Sequence, residues 1–364
     1  MGAWSRYGLK VAGGDGGIIV WPAKDGLGGV GRIRSAAHVK WWPVWVGFPG
    51  SSSGKLAVAS RRCRQGNSWA GWRNPQLFSD PTRIGRSTDS TGREVLISCG
   101  AALDHLRVVM AAVGWQANID RFPNPNNLNH LASIAFTPID VVTDAELARA
   151  EAIVIRRSDR LPFAAPPQWD SFDPVLRHTV DAHVAVLDVI PDDSRPQLAM
   201  ASQLSEQWRR YDSSYHAELR WWTSGLEEFE GIPPSALPSQ AEAKELDVSR
   251  QFPVREQDQR HADIAPDRSK ILVVSTYDDS RRYVLDAGEV LSTLLLECTE
   301  AGLATCTLTH MIEVSAARDI VQRLTQRSEL PQLLIRVGQA PQGEQPRPPT
   351  PRRPLEDVLE IHRQ

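Results

Sequence analysis

The sequence predicts an α+β fold made of two similar halves, with an irregular extension in front of them. Three observations carry this expectation. A helix with a glycine in its middle and another at its end occurs twice, each copy precedes a strand-like run, and the composition changes abruptly near residue 80.

The extension comes first in chain order. Residues 1–79 hold 11 Lys and Arg against two acids, with 15 of the 25 glycines and seven of the 12 tryptophans. They therefore carry +9 and the remainder −12, although the whole 364-residue chain has a formal charge of only −3. No sustained helical or strand period runs through residues 1 to about 55, so this stretch is expected to be irregular. The glycine clusters GGDGG at 13–17 and GLGGVG at 26–31 lack the flanking strand and helix of a dinucleotide loop. A basic, Trp-rich arm suits nucleic acid, but no nucleic-acid module accompanies it. An extension without an evolved fold is the preferred reading.

From Asp80 onward the pattern is regular. Leu96, Cys99, Leu103, Leu106, Val109 and Val113 recur at helical spacing, and Gly114 ends the run. The stretch beginning SRRYVLDAGEVL aligns with it without a gap. Gly100 falls on Gly288, Gly114 on Gly302, Leu103 on Leu291, Leu106 on Leu294 and Arg93 on Arg281. LASIAF at 131–136 and PQLLIRVG at 331–338 supply the following strands, so an internal repeat is expected. Between the copies, Thr143 and Glu146 form a capping box that opens a helix delivering Arg156 and Arg157 to its last turn. VAVLDVI at 184–190 reads as a half-buried strand and KILVVST at 270–276 as a central one. Helices are expected over about 194–210 and 213–222. The Gly-, Pro- and acid-rich stretch 224–245 reads as a loop or lid. Prolines make residues 340–364 an extended arm, ending in a short strand or helix near Leu355 to Ile361. The expected division is an atypical segment 1–75, an incomplete first half 76–150, and a second half 151–364 with a lid at about 220–262.

Several chemistries are excluded. The chain has no H-E-x-x-H, G-x-S-x-G or Walker motif and no cluster at metal-ligand spacing. Cys63, Cys99, Cys298 and Cys306 form no C-x-x-C pair, which fits buried thiols in a reducing, cytoplasmic setting. No apolar run reads as a membrane span of about 20 residues.

Two arginine clusters stand out. Arg156, Arg157, Ser158 and Arg160 in RRSDRLPF can place guanidinium groups and a hydroxyl around one phosphate. Arg352 and Arg353 in PTPRRPLEDV can close the other side. On charge alone the competing reading, arginines favoured at a helix C-terminus by its dipole, is the stronger.

Position in the whole pattern reverses that. The order R-R-S-D-R, the glycine-ended helix running into GLATCTLTH, then LLIRVGQAP and RRPLEDV resembles the flavin-dependent nitroreductase superfamily. More closely it resembles the Acg branch, whose members contain two nitroreductase-like halves in one chain. The resemblance covers about residues 75–362 and implies a three-layer, internally duplicated pseudo-dimer that works as a monomer. It implies FMN as cofactor, its phosphate and ribityl chain held by Arg156, Arg157, Ser158 and Arg160, with Arg352 and Arg353 on the same phosphate. Thr309 and His310 would face the flavin ring. NAD(P)H would be the hydride donor and a nitroaromatic or quinone-like small molecule the acceptor, with no protein group as acid or nucleophile because the flavin carries the chemistry. The alternative is a flavin-sequestering protein whose lid excludes nicotinamide. His310 alone also fits a structural histidine, Trp221 and Trp222 a place half in the core and half in the lid, and Asp159 a partner for a neighbouring arginine. Where the family carries A-P-S-x-H-N-x-Q-P-W, this chain reads CRQGNSWAGW at 63–72, which implies weaker flavin binding.

Overall fold

The computed structural model describes residues 8–14, 17–23, 55–59, 75–224, 231–253, 265–341 and 358–362. Strands β1 (Gly8–Gly14) and β2 (Gly17–Ala23) pair antiparallel, with Gly14 opposite Gly17. Within the extension expected to be irregular, these two segments are regular strands. Val11, Ile18, Ile19, Val20 and Trp21 are strand formers, and a two-stranded ribbon needs only local pairing.

The first large sheet contains β3 (Lys55–Ala59), β4 (Gln76–Phe78), β5 (Trp115–Arg121) and β6 (His130–Pro138). Helix α1 (Arg93–Ala112) connects β4 to β5. After β6, α2 (Asp144–Ile155) begins with the expected box: Thr143 Oγ1 accepts from the Glu146 amide at 3.2 Å, and Glu146 accepts from the Thr143 amide at 2.7 Å. Thr143→Ala is expected to cost about 1 kcal/mol, seen as a lower urea midpoint with an unchanged slope.

The second sheet contains β7 (Val186–Ile190), β8 (Lys270–Thr276), β9 (Ala304–Leu308) and β10 (Leu330–Gly338) in the order β7-β8-β10-β9. Around it lie α3 (Trp169–Thr179), α4 (Arg195–Arg209), α5 (Ser213–Thr223), α6 (Gln240–Lys244), α7 (Arg281–Glu300) and α8 (Ser315–Thr325). The strand β11 (Leu359–His362) closes the chain by pairing parallel to β3. The first sheet is thus β11-β3-β4-β6-β5. Helix α6, capped by Ser239 and Glu242, is a short regular element inside the stretch expected to be loop or lid.

The repeat is visible in the topology. β4-α1-β5-β6 and β8-α7-β9-β10 have the same element order, and in each sheet the last strand lies between the other two. Both helices have 20 residues, and both end before a glycine of positive φ, Gly114 at 87° and Gly302 at 74°. They cross at Gly100 and Gly288, where a Cβ on either would collide with backbone of the other helix. Leu96, Cys99, Leu103, Leu285, Leu291 and Leu295 fill the core on either side of that crossing, between the two sheets. A second core, around Leu198, Val273, Cys306, Val321 and Leu334, lies on the opposite face of the second sheet, against α4 and α8. Helix α1 is long and apolar enough to cross a membrane, with a mean hydropathy of 1.5, but 72% of that window is buried in this core.

Candidate functional site

The R-R-S-D-R segment leaves the end of α2 and runs along β9, the edge strand of the second sheet. Ser158 bridges to Thr305 in parallel, and the Asp159 amide donates to the Thr305 carbonyl at 2.9 Å. Asp159 Oδ1 accepts from the Leu161 amide at 2.9 Å and so helps turn the chain inward. Leu161 and Phe163 are then fully buried.

A charged anchor fixes this turn from beneath. Arg336, from the middle of β10, has a side chain only 1% exposed, yet donates to Asp267 Oδ1 at 2.7 Å and to the Leu161 carbonyl at 2.8 Å. Asp267 Oδ1 also accepts from the Phe163 amide at 2.7 Å, and its Oδ2 pairs with Arg195. Burial alone would raise the Asp267 carboxyl, but the Arg336 charge and these hydrogen bonds outweigh it and hold the carboxyl below its ordinary range. The Arg336 guanidinium also stacks 4.7 Å from the Phe163 ring.

Arg160, Arg250 and Arg336 converge on one pocket whose floor is Cys306, Thr307, Leu308 and Thr309. Its cover is Pro238, Leu246, Ser249, Arg250 and Phe252, from the segment between α5 and β8, and Arg160 stacks 5.7 Å from the Phe252 ring. The enclosed volume is about 20 Å³, room for about one water molecule.

The residues singled out from sequence fall in different places. Arg160 and Thr309 line this pocket. Arg156 is buried at the C-cap of α2. Arg157 turns back, its Nη1 donating to the carbonyls of Val154 at 2.7 Å and Arg156 at 2.8 Å, the helix-terminus role that charge alone favoured. His310 is buried, with Nε2 against Ser202 Oγ at 2.8 Å; burial first and the Arg250 charge second pull its pKa down to about 3. It stays neutral. Trp222 is buried and Trp221 is 42% exposed. Cys99, Cys298 and Cys306 are buried. Arg352, Arg353, the 63–72 segment and the lid residues 225–230 and 254–264 lie outside the described residues.

Sequence reasoning missed Arg250 and the group it belongs to. Arg250 pairs with Glu313, donates to Thr309 Oγ1 at 3.2 Å and to the Tyr215 hydroxyl at 3.3 Å. Thr309 in turn bonds Glu94 of α1, so the pocket floor is tied to the first half. Nothing in local sequence marks a contact across 215 residues.

No protein-family model matches the chain. An Acg protein of Mycobacterium tuberculosis, whose name marks it as a candidate NAD(P)H nitroreductase, is 54% identical over 285 residues, 78% of this chain and 86% of its own length. A second M. tuberculosis protein, with no stated function, is 55% identical over 285 residues, 78% of this chain and 83% of its own. A third, also named as a candidate NAD(P)H nitroreductase, is 34% identical over 316 residues, 84% of this chain and 89% of its own. Among solved structures, an FMN-dependent nitroreductase from Mycobacterium smegmatis in complex with NADPH is 17% identical, covering 60% of this chain and 100% of that one at a TM-score of 0.38. A further structure, of a candidate nitroreductase from Anabaena variabilis, is 9% identical and covers 74% of this chain and 69% of that one at a TM-score of 0.45. These structural overlaps are too loose to add weight, and the relationship rests on the sequence identities. With more than half of its aligned residues identical across 86% of an Acg protein, the chain belongs to the Acg branch of the nitroreductase superfamily.

Proposed function

We propose that the chain is an FMN-binding oxidoreductase that takes hydride from NAD(P)H and passes it to a small nitroaromatic or quinone-like acceptor. The observation that carries this reading is the pocket that Arg160, Arg250 and Arg336 line together with Thr307 and Thr309. Such a donor set fits a phosphate and the carbonyl and ring-nitrogen acceptors of a flavin. Bound FMN would supply the redox chemistry, accepting hydride and giving it up again.

The chain's own residues bind and orient. Arg156, Ser158 and Arg160 would hold the phosphate, Arg352 and Arg353 would join them, and Thr309 would border the ring. Arg157, committed in part to the carbonyls of α2, would contribute least. His310, neutral and engaged with Ser202, would support the wall without moving a proton. A ring-sized ligand exceeds the enclosed 20 Å³, so its entry requires the Leu246–Phe252 cover to move outward. That cover, pinned by Arg250 to Glu313 and Thr309, is also what favours the second reading, a flavin-sequestering protein closed to nicotinamide.

The division into residues 1–75, 76–150 and 151–364 belongs to the same proposal, as does a monomer acting as its own pseudo-dimer. Helix α2 runs unbroken through residues 150 and 151 and joins the halves. A cytoplasmic location suits the burial of Cys298 and Cys306.

The test is flavin retention. Arg160→Ala or Arg156→Ala should weaken FMN binding at least about tenfold, since one charge-assisted bond is worth about 1.5–3 kcal/mol. Arg157→Ala should lose less. Equal retention by all three variants after gel filtration contradicts the assignment.

A further inference from the structure

Behind the pocket floor at Thr309 lies a pair of buried carboxyl groups that flavin anchoring does not use. Glu94 from the first turn of α1 and Glu313 beyond β9 bring carboxyl groups from the two halves together, their side chains 1% and 6% exposed. Thr309 Oγ1 bonds Glu94 Oε1 and lies 3.3 Å from Glu313 Oε1. Arg250 pairs with Glu313 but stands 3.7 Å from Glu94, and Arg209 adds a second cation 3.2 Å from Glu313. The other charged or titratable neighbours are Asp89 and Arg93 on the α1 side, Tyr215 and Glu206 on the α4–α5 side, and His310.

Two close carboxyl groups in a low-dielectric interior do not both ionise. The cations decide which one keeps its proton. Burial, then the neighbouring Glu313 charge, push the Glu94 carboxyl well above its ordinary range, with Arg250 opposing too weakly. Burial acts on Glu313 too, but Arg250, the bond with Glu94 and Arg209 overcome it and keep Glu313 ionised.

The other groups at the floor are poor proton sources. Arginines do not release protons, His310 is neutral and turned to Ser202, and burial raises the Cys306 thiol. We propose that Glu94 and Thr309 form a proton relay into the pocket, Glu94 holding the proton and the Thr309 hydroxyl passing it on. The relay rests on the oxidoreductase reading and completes its balance. Reducing a quinone to a hydroquinone, or a nitro group to a nitroso group and water, takes one hydride from NAD(P)H and one further proton. The Thr309 hydroxyl gives its proton to the acceptor oxygen and takes the Glu94 proton in exchange. Once the product has left, water entering the pocket returns a proton to Glu94 by the same Thr309 route. Glu94 thus acts through Thr309 and positions it.

The experiment compares Glu94→Gln, Glu313→Gln and wild type by infrared spectroscopy and by stopped flow on FMN-loaded protein with NADPH and menadione. The protonated-carboxyl C=O band should vanish in Glu94→Gln and persist in Glu313→Gln. Glu94→Gln should bleach with NADPH as wild type does, but pass electrons to menadione about a hundredfold more slowly, with a flattened pH profile. Thr309→Val should repeat the slow step and Thr309→Ser should restore it. A band that survives in Glu94→Gln, or a menadione step unchanged in rate and pH profile, overturns the relay alone. A wild-type protein that NADPH does not bleach overturns the oxidoreductase reading, and the relay's role with it.

Discussion

Gly100→Val and Gly288→Val are expected to abolish folding. A helical glycine usually costs about 1 kcal/mol relative to alanine, so an added methyl would help an isolated helix. At this crossing the sign reverses. A Cβ on Gly100 would run into the Leu285 carbonyl oxygen, and one on Gly288 into the Ile97 carbonyl oxygen with its carbon only 2.8 Å away. Both obstacles are backbone, so the helices themselves must part. Parting them opens the core that Ile97, Leu103, Leu285 and Leu291 fill. Gly100→Ala should cost at least about 3 kcal/mol by the upper range for overpacking, read as a lower thermal midpoint. Gly302 is the control, because nothing lies within 4 Å of its Cβ position and only its positive φ of 74° restricts it. Gly302→Asn should therefore melt close to wild type. A Gly100→Ala protein that melts with wild type would show that the crossing is looser than described.

The second large effect is at the loop anchor. Asp267→Asn should destabilise the chain by about 3–5 kcal/mol, because it leaves Arg336 charged and nearly sealed from water without a carboxylate. Arg336→Met should cost less, since Asp267 keeps Arg195. Arg336→Met should also weaken flavin retention, because the Leu161 carbonyl that sets the turn after Arg160 loses its partner. The pH dependence follows from the depressed Asp267 carboxyl. Its stabilisation is fully present above the ordinary value of 3.8 and is lost as pH falls through the lower folded value. Acid unfolding should begin at higher pH in Asp267→Asn, because the variant starts with less stability to lose. A urea midpoint indistinguishable from wild type would contradict the anchor.

What was legible in the sequence follows from the range of each interaction. Helices α1 and α7 announce themselves because their apolar spacing, central glycine and C-terminal glycine all lie within about twenty residues. The Thr143–Glu146 box is legible for the same reason. Helix α6 has only five residues amid Pro and Ser, too few to establish a period. Arg336 was not singled out from the strand LLIRVG, because its partner Asp267 lies 69 residues away in sequence. The bond between Thr309 and Glu94 spans 215 residues and depends on the packing of two halves. The arginine motif was found through its order in the chain, while its partition into a pocket residue, a buried cap and a helix-end arginine required the turn along β9.

The most direct test of the account is the visible absorption spectrum of the purified full-length chain, before and after NADPH is added without oxygen. Bound FMN should give a yellow protein that NADPH bleaches and a quinone restores. A colourless protein that cannot be reconstituted with FMN would contradict it.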